Sequence, residues 1–123
     1  MNIRFVTKTI HAYLDYPVAI ALIALPMVLG LGQSSPVAFW LSVVTGIAAL
    51  ALTILTDHET GLIRVVPYSF HLIVDFAVGV VFLAAPFVLG FKGIDFAYYI
   101  VNALAVLTVV SLHKPEVSEP RLA

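Results

Sequence analysis

Residues 11–30 read HAYLDYPVAIALIALPMVLG, and residues 71–90 read HLIVDFAVGVVFLAAPFVLG. Sixty positions apart, His11 returns as His71, Asp15 as Asp75, Pro26 as Pro86 and Gly30 as Gly90. Nearly every other side chain in the two windows is apolar, so a repeated histidine and aspartate cannot come from composition alone. Self-similarity at a fixed period means that the fold is built from two copies of one unit.

Composition sets the class of that unit. Hydrophobic residues make up 62% of the chain and charged residues 11%, with a mean hydropathy of +1.09. Soluble domains run at roughly 45–50% apolar and 25% charged. The apolar residues fall in four blocks, approximately Ala12–Leu31, Val37–Thr56, Leu72–Phe91 and Phe96–Leu112. Each is about long enough to cross roughly 30 Å of hydrocarbon as a helix. A soluble chain of 123 residues could not bury four such blocks. A secretory signal is a poor account of the first, which is too long and has three more behind it. The expectation is an all-α membrane protein with four transmembrane helices, arranged as two parallel-related helical hairpin repeats. It has a single domain over 1–123, with repeat one at about 11–59, repeat two at about 71–113, and 114–123 as a flexible cytoplasmic tail.

Punctuation between the blocks agrees with four spans. Gly30, Gly32 and the run Gln33-Ser34-Ser35-Pro36 make the first turn, with Ser35 as N-cap and Pro36 at the first helical position. Lys92-Gly93-Ile94-Asp95 makes the matching turn, with Asp95 as the expected cap of the fourth helix and Ser69 as that of the third. Arg4, Lys8, Arg64, Lys114 and Arg121 fall on one side of the four spans and Lys92 alone on the other. The positive-inside bias then puts both termini and the central connector in the cytoplasm. Two spans per repeat start both copies on the same side, which relates them by a pseudo-two-fold axis along the membrane normal.

Several function classes are excluded early. The chain has no cysteine, hence no disulfide, thiolate ligand or haem thioether. A formal net charge of −1 and the lack of a basic run argue against nucleic acid as a partner. The expected partner is the lipid bilayer, with a homo-oligomer as a further expectation for so thin a bundle.

What remains is the polar chemistry at one end. His11 and Asp15 are four residues apart, as are His71 and Asp75, so each pair shares one helical face. Each aspartate lies about 6 Å deeper than its histidine, from a rise of about 1.5 Å per residue. Asp57, His58 and Glu59 follow the second helix, and His113 follows the fourth. An ionisable residue inside a membrane span is a functional-site candidate by default. The first and third helices are therefore expected to be neighbours, with His11, Asp15, His71 and Asp75 facing one another and Arg64 nearby to compensate the acids. Asp57, His58, Glu59 and His113 form a secondary polar cluster. His58 and His113 read most simply as solvated helix ends, and Tyr13, Tyr16, Trp40, Tyr68, Tyr98 and Tyr99 as interfacial anchors. Ser42 and Asn102, again sixty apart, are placed to hydrogen-bond across helices.

The combination of HAYLDY, LPMVLGLG, TDHETGLIRVVP, HLIVDF and APFVLGF resembles the SPW-repeat family of small bacterial membrane proteins. The resemblance runs from about Arg4 to His113. It implies two repeats of two transmembrane helices in a bacterial cytoplasmic membrane, and it implies no activity. The Ser-Pro-Trp tripeptide of that family corresponds here to Leu25-Pro26-Met27 and Ala85-Pro86-Phe87, so only the proline is kept.

Three function classes follow. The first is a binding or sensing module in which the paired His-Asp faces hold a cation, a proton or a small polar ligand; His and carboxylate suit divalent transition metals. The second is a structural or assembly protein in which the same residues only set helix packing. The third, a proton or ion carrier or an enzyme, ranks lowest, because no nucleophile–base arrangement is present and no catalytic residue can be named. The metal, if one is bound, and any cofactor stay open, with a haem between His11 and His71 as a further geometric option.

Overall fold

The computed structural model describes residues 4–57 and 61–113. Four helices follow in order: α1 (Lys8–Leu29), α2 (Pro36–Leu55), α3 (Tyr68–Val88) and α4 (Gly93–Ser111). Each is long and apolar enough to cross a membrane. No strand is present among the described residues; the two isolated bridges, Val6 with His113 and Thr56 with Val66, lie where the termini and the connector meet. Large apolar side chains such as Met27, Val28, Val88 and Val101 are exposed on the outer faces, where hydrocarbon is the solvent. The His58 and Glu59 positions and the 114–123 tail lie outside the described residues.

The helices begin earlier than the apolar blocks. Thr7 caps α1 by accepting from the Ile10 N–H, and Pro67 stands at the equivalent position before α3. His11 and His71 therefore both sit within the first helical turn. Ser35 caps α2 as expected, accepting from the Val37 N–H, with Pro36 at the helix start. Two caps differ from expectation. Ser69 lies inside α3, and α4 is capped from Lys92, which leaves Asp95 free for another role.

Each hairpin turns in the same way. Gly30 and Gly90 take the left-handed conformation, with φ of 66° and 69°, where a side chain would be strained. The next residues, Leu31 and Phe91, donate their N–H to the carbonyls of Pro26 and Pro86, both at 2.9 Å. This closes a Schellman-type helix end, and Leu31 and Phe91 are buried beside it. The retained proline thus supplies the carbonyl on which each turn closes.

After that glycine the hairpins diverge. Pro36 begins α2 six residues after Gly30, whereas Gly93 begins α4 three residues after Gly90. The second helices of the repeats therefore correspond at a spacing of 57, not 60: Thr56 meets Val66 as His113 meets Val6. The expected cross-helix pairing of Ser42 with Asn102 is not made. Ser42 donates to the Leu22 carbonyl at 2.8 Å and accepts from the Tyr98 hydroxyl at 2.6 Å. Asn102 donates to the Tyr98 carbonyl of its own helix at 2.8 Å.

The two ends of the bundle differ in packing. A core of Leu22, Leu31, Ala38, Phe82, Phe91, Tyr98, Tyr99 and Ala103 fills the turn side. Tyr99 stacks on Phe82 and meets Phe91 edge-on, and its hydroxyl donates to the Ala38 carbonyl at 2.6 Å. Tyr98 and Tyr99 are thus core residues rather than interfacial anchors, and so is Tyr68 at the opposite end. Tyr13 and Trp40, 65% and 60% exposed, keep the place an anchor needs. Asp95, fully buried, reaches across to the other hairpin. Its carboxylate accepts from the Gly32 N–H at 2.8 Å, the Ser34 N–H at 2.9 Å and the Ser34 hydroxyl at 2.5 Å. It joins the two turns to each other.

Candidate functional site

At the end opposite the turns, α1 and α3 approach through side chains. Close backbone packing is instead concentrated within each hairpin, α1 on α2 and α3 on α4. The four-residue spacing puts His11 over Asp15 and His71 over Asp75, and the pseudo-two-fold axis turns the two faces toward each other. His11 Nε2 lies 3.1 Å from Asp15 Oδ1 and 2.7 Å from Asp75 Oδ2. His71 Nε2 lies 3.4 Å from Asp15 Oδ2 and 3.3 Å from Asp75 Oδ2. Each histidine thus contacts the aspartate of its own helix and that of the other. One potential ligand atom from each residue lies within 4.8 Å of all the others.

Proton placement decides what this cluster can hold. Thr56 Oγ1 donates its single proton to the Leu52 carbonyl at 2.5 Å. It can therefore only accept from His71, whose Nδ1 lies 2.7 Å away. With Nδ1 protonated, His71 faces the two carboxylate oxygens through Nε2, which is a bare lone pair in the neutral imidazole and a second N–H donor in the imidazolium. A bare lone pair would be repelled by the carboxylates, so positive charge belongs among these atoms, as a proton on Nε2 or as a bound cation. A histidine whose far nitrogen donates a hydrogen bond while Nε2 faces acidic ligands also has the orientation usual for a metal-binding imidazole. His11 differs: its Nδ1 is buried and, among the described residues, has no hydrogen-bond partner.

The surrounding groups sort themselves clearly. His113 accepts from or donates to the Tyr68 hydroxyl through Nε2 at 2.6 Å, and its ring lies 6.0 Å from that of His11, centroid to centroid. It is half-buried and packed beside the cluster, not a freely solvated helix end. Lys8 Nζ sits 5.1 Å over the Tyr68 ring. Asp57 is exposed and its N–H donates to the Val66 carbonyl at 2.8 Å. Arg64 is exposed on the connector, with Nε donating to the Gly61 carbonyl at 3.2 Å; the four central residues contact one another directly. The His11 and His71 rings are 5.6 Å apart and at 89° to each other, with both Nε2 atoms engaged by the carboxylates. That leaves no slot for a flat porphyrin between them.

A cavity of about 500 Å³ extends from the cluster toward the middle of the bundle. All four His and Asp residues line it. Its other walls are mainly apolar and include matched positions of α2 and α4, Ala48 with Ala105 and Leu52 with Val109. Thr56 is the contributor that sequence reasoning missed. Its only signal was a hydroxyl at a helix end, close in sequence to Asp57.

A family model described as SPW repeat domain matches residues 9–113, and the chain belongs to that family. The match begins two residues before His11 and ends on His113, so it takes in both hairpins and the whole cluster. No curated protein and no solved structure matches the chain.

Proposed function

We propose that this protein is a membrane-embedded cation-binding module, and that His11, Asp15, His71 and Asp75 together hold a divalent first-row transition-metal ion. The observation that carries this reading is the His71 arrangement, in which the Thr56 bond on Nδ1 commits Nε2 to face two carboxylates. Spacing agrees with it. Bonds of about 2.0–2.2 Å to one ion put neighbouring ligand atoms roughly 3.3–3.6 Å apart in a tetrahedron and roughly 2.8–3.1 Å apart in an octahedron, and three of the four nitrogen–oxygen separations, 3.1, 3.3 and 3.4 Å, fall within that span. Charge agrees as well: two carboxylates, two neutral imidazoles and a divalent ion sum to zero, the state that costs least to bury.

The site belongs on the cytoplasmic side of a bacterial inner membrane in this proposal. Arg4, Lys8 and Arg64 accompany it, while Lys92 lies at the turns. A second reading, a packing role alone, draws on the 2.7 Å contact of His11 with Asp75, which ties the hairpins together without any ion. Metal analysis and Co2+ absorption spectra of the protein in lipid nanodiscs separate the two. The cation reading expects stoichiometric uptake and ligand-field bands that vanish in Asp15→Asn/Asp75→Asn. A protein that takes up no metal, and whose double variant is unchanged in stability, would leave the packing role in its place.

A further inference from the structure

The cluster faces inward to the cavity, and its water side is closed. His11 and His71 are 4% and 2% exposed, and Tyr68, Val6 and His113 pack over that end. The cavity is not fully enclosed. Val44, Ala48 and Ala105 line it and are exposed, and all three lie in the middle of membrane-spanning helices. An opening at that depth faces hydrocarbon. Along its length the cavity changes character, from two imidazoles and two carboxylates at one end to walls such as Val18, Val78 and Val106 further in. This is the polarity profile of a site that fixes one end of its ligand and merely accommodates the rest.

We infer that the cavity admits, from the membrane, an amphiphile with one apolar chain and an uncharged or anionic nitrogen- or oxygen-donor head, and that this head binds the cation at the His-Asp cluster. The inference rests on the cation-binding reading above and adds the second ligand. First-row divalent ions accept up to six donors, and the four protein ligands leave room on the cavity side. Small residues at Ala48 and Ala105 keep the opening clear.

The test uses Co2+-loaded protein in nanodiscs, with 1-octylimidazole and 1-methylimidazole as probes and Ala48→Phe/Ala105→Phe to fill the opening. Both probes should perturb the Co2+ bands of the parent. Filling the opening should weaken 1-octylimidazole by at least about tenfold, since each methylene that loses its apolar place costs about fourfold, and should change 1-methylimidazole by less than about threefold. The Co2+ spectrum before probe addition reports whether the filled variant is folded. If it is lost, the milder Ala48→Leu/Ala105→Leu pair should show the same selective weakening in smaller degree. Equal responses of parent and filled protein to both probes, or no perturbation by 1-octylimidazole, would overturn the inference and leave the cation site standing. Absence of Co2+ uptake by the parent would instead overturn the cation reading and this inference with it.

Discussion

The turn-side and connector-side halves of this bundle solve opposite problems with similar residues. On the turn side a buried aspartate, Asp95, accepts three hydrogen bonds from one neighbouring turn, and two buried tyrosines each donate to an oxygen. On the connector side two aspartates face two histidines, a histidine nitrogen is left without a partner among the described residues, and a cavity of about 500 Å³ opens beside them. Buried polar groups are normally satisfied, and exceptions call for an explanation. One half is finished as protein. The other keeps an unpartnered nitrogen among the described residues and an open cavity, which the proposed cation and its ligand would complement.

The largest expected effect breaks the comparison at its functional end. Replacing Asp15 and Asp75 together by Asn keeps the shape and much of the hydrogen bonding but removes both negative charges. Truncating a buried charged partner costs about 2–5 kcal/mol, so cation affinity should fall by at least about a thousandfold, with the protein still inserting and folding. Each single variant should lose a similar part of that, because the two aspartates hold equivalent places about the axis. Isothermal titration with Co2+ or Zn2+ measures both. A double variant that binds as the parent does would remove the His-Asp cluster from the binding reaction.

Asp95→Ala should do the reverse. It removes an acceptor whose hydrogen bonds are each worth about 1.5–3 kcal/mol to a charged group, less than additively, so a loss of about 3 kcal/mol in unfolding stability is expected. Cation affinity should stay within about threefold of the parent once both are folded. Equilibrium unfolding in mixed micelles checks the first and titration the second. A stable Asp95→Ala protein would mean that the turns are held by apolar packing alone.

These contrasts also mark how far the sequence could be read. The hairpins and the His-Asp faces were legible because they rest on local rules: block length, the four-residue spacing and the sixty-residue repeat of rare polar residues. What joins the hairpins was not. A second turn three residues shorter shifts the whole of α4 against α2 by nearly one helical turn, so Ser42 and Asn102, aligned by number, are not aligned in space. Asp95 looked like a cap for its own helix because capping is local, while its partners, Gly32 and Ser34, lie some sixty residues away. Tyr98 and Tyr99 looked interfacial from their depth, but which way a side chain faces depends on the neighbouring hairpin.

The two glycines inside the hairpins offer a finer contrast. A Cβ on Gly46 would stand 2.9 Å from the Ala19 carbonyl oxygen and 2.9 Å from Leu22 Cβ, atoms that move only with α1. A Cβ on Gly79 would meet chiefly the end of the Leu107 side chain, at 2.7 and 2.9 Å, which can rotate away. Gly46→Ala should therefore cost about 2 kcal/mol, within the usual range for overpacking. For Gly79→Ala a smaller clash is largely offset by the better helix propensity of alanine, worth up to about 1 kcal/mol, and the net change should be under about 1 kcal/mol. Parallel unfolding curves decide it, and equal losses would mean that α4 is as rigidly placed as α1.

The smallest effect concerns a hydrogen bond that His71 makes and His11, among the described residues, does not. Thr56→Val keeps the volume at the end of α2 but removes the hydroxyl that accepts from His71 Nδ1. The ring is then held less firmly with Nε2 toward the carboxylates. Groups that orient a metal-binding histidine are typically worth 10–100-fold in affinity. Because His11, Asp15 and Asp75 are untouched, the lower end is expected here, about tenfold. Thr56→Ser returns the hydroxyl and should return the affinity, which separates loss of the hydrogen bond from any change in packing. If Thr56→Val and Thr56→Ser bind a cation equally well, the tautomer of His71 is set by something other than Thr56, and the asymmetry between the two repeats has no part in binding.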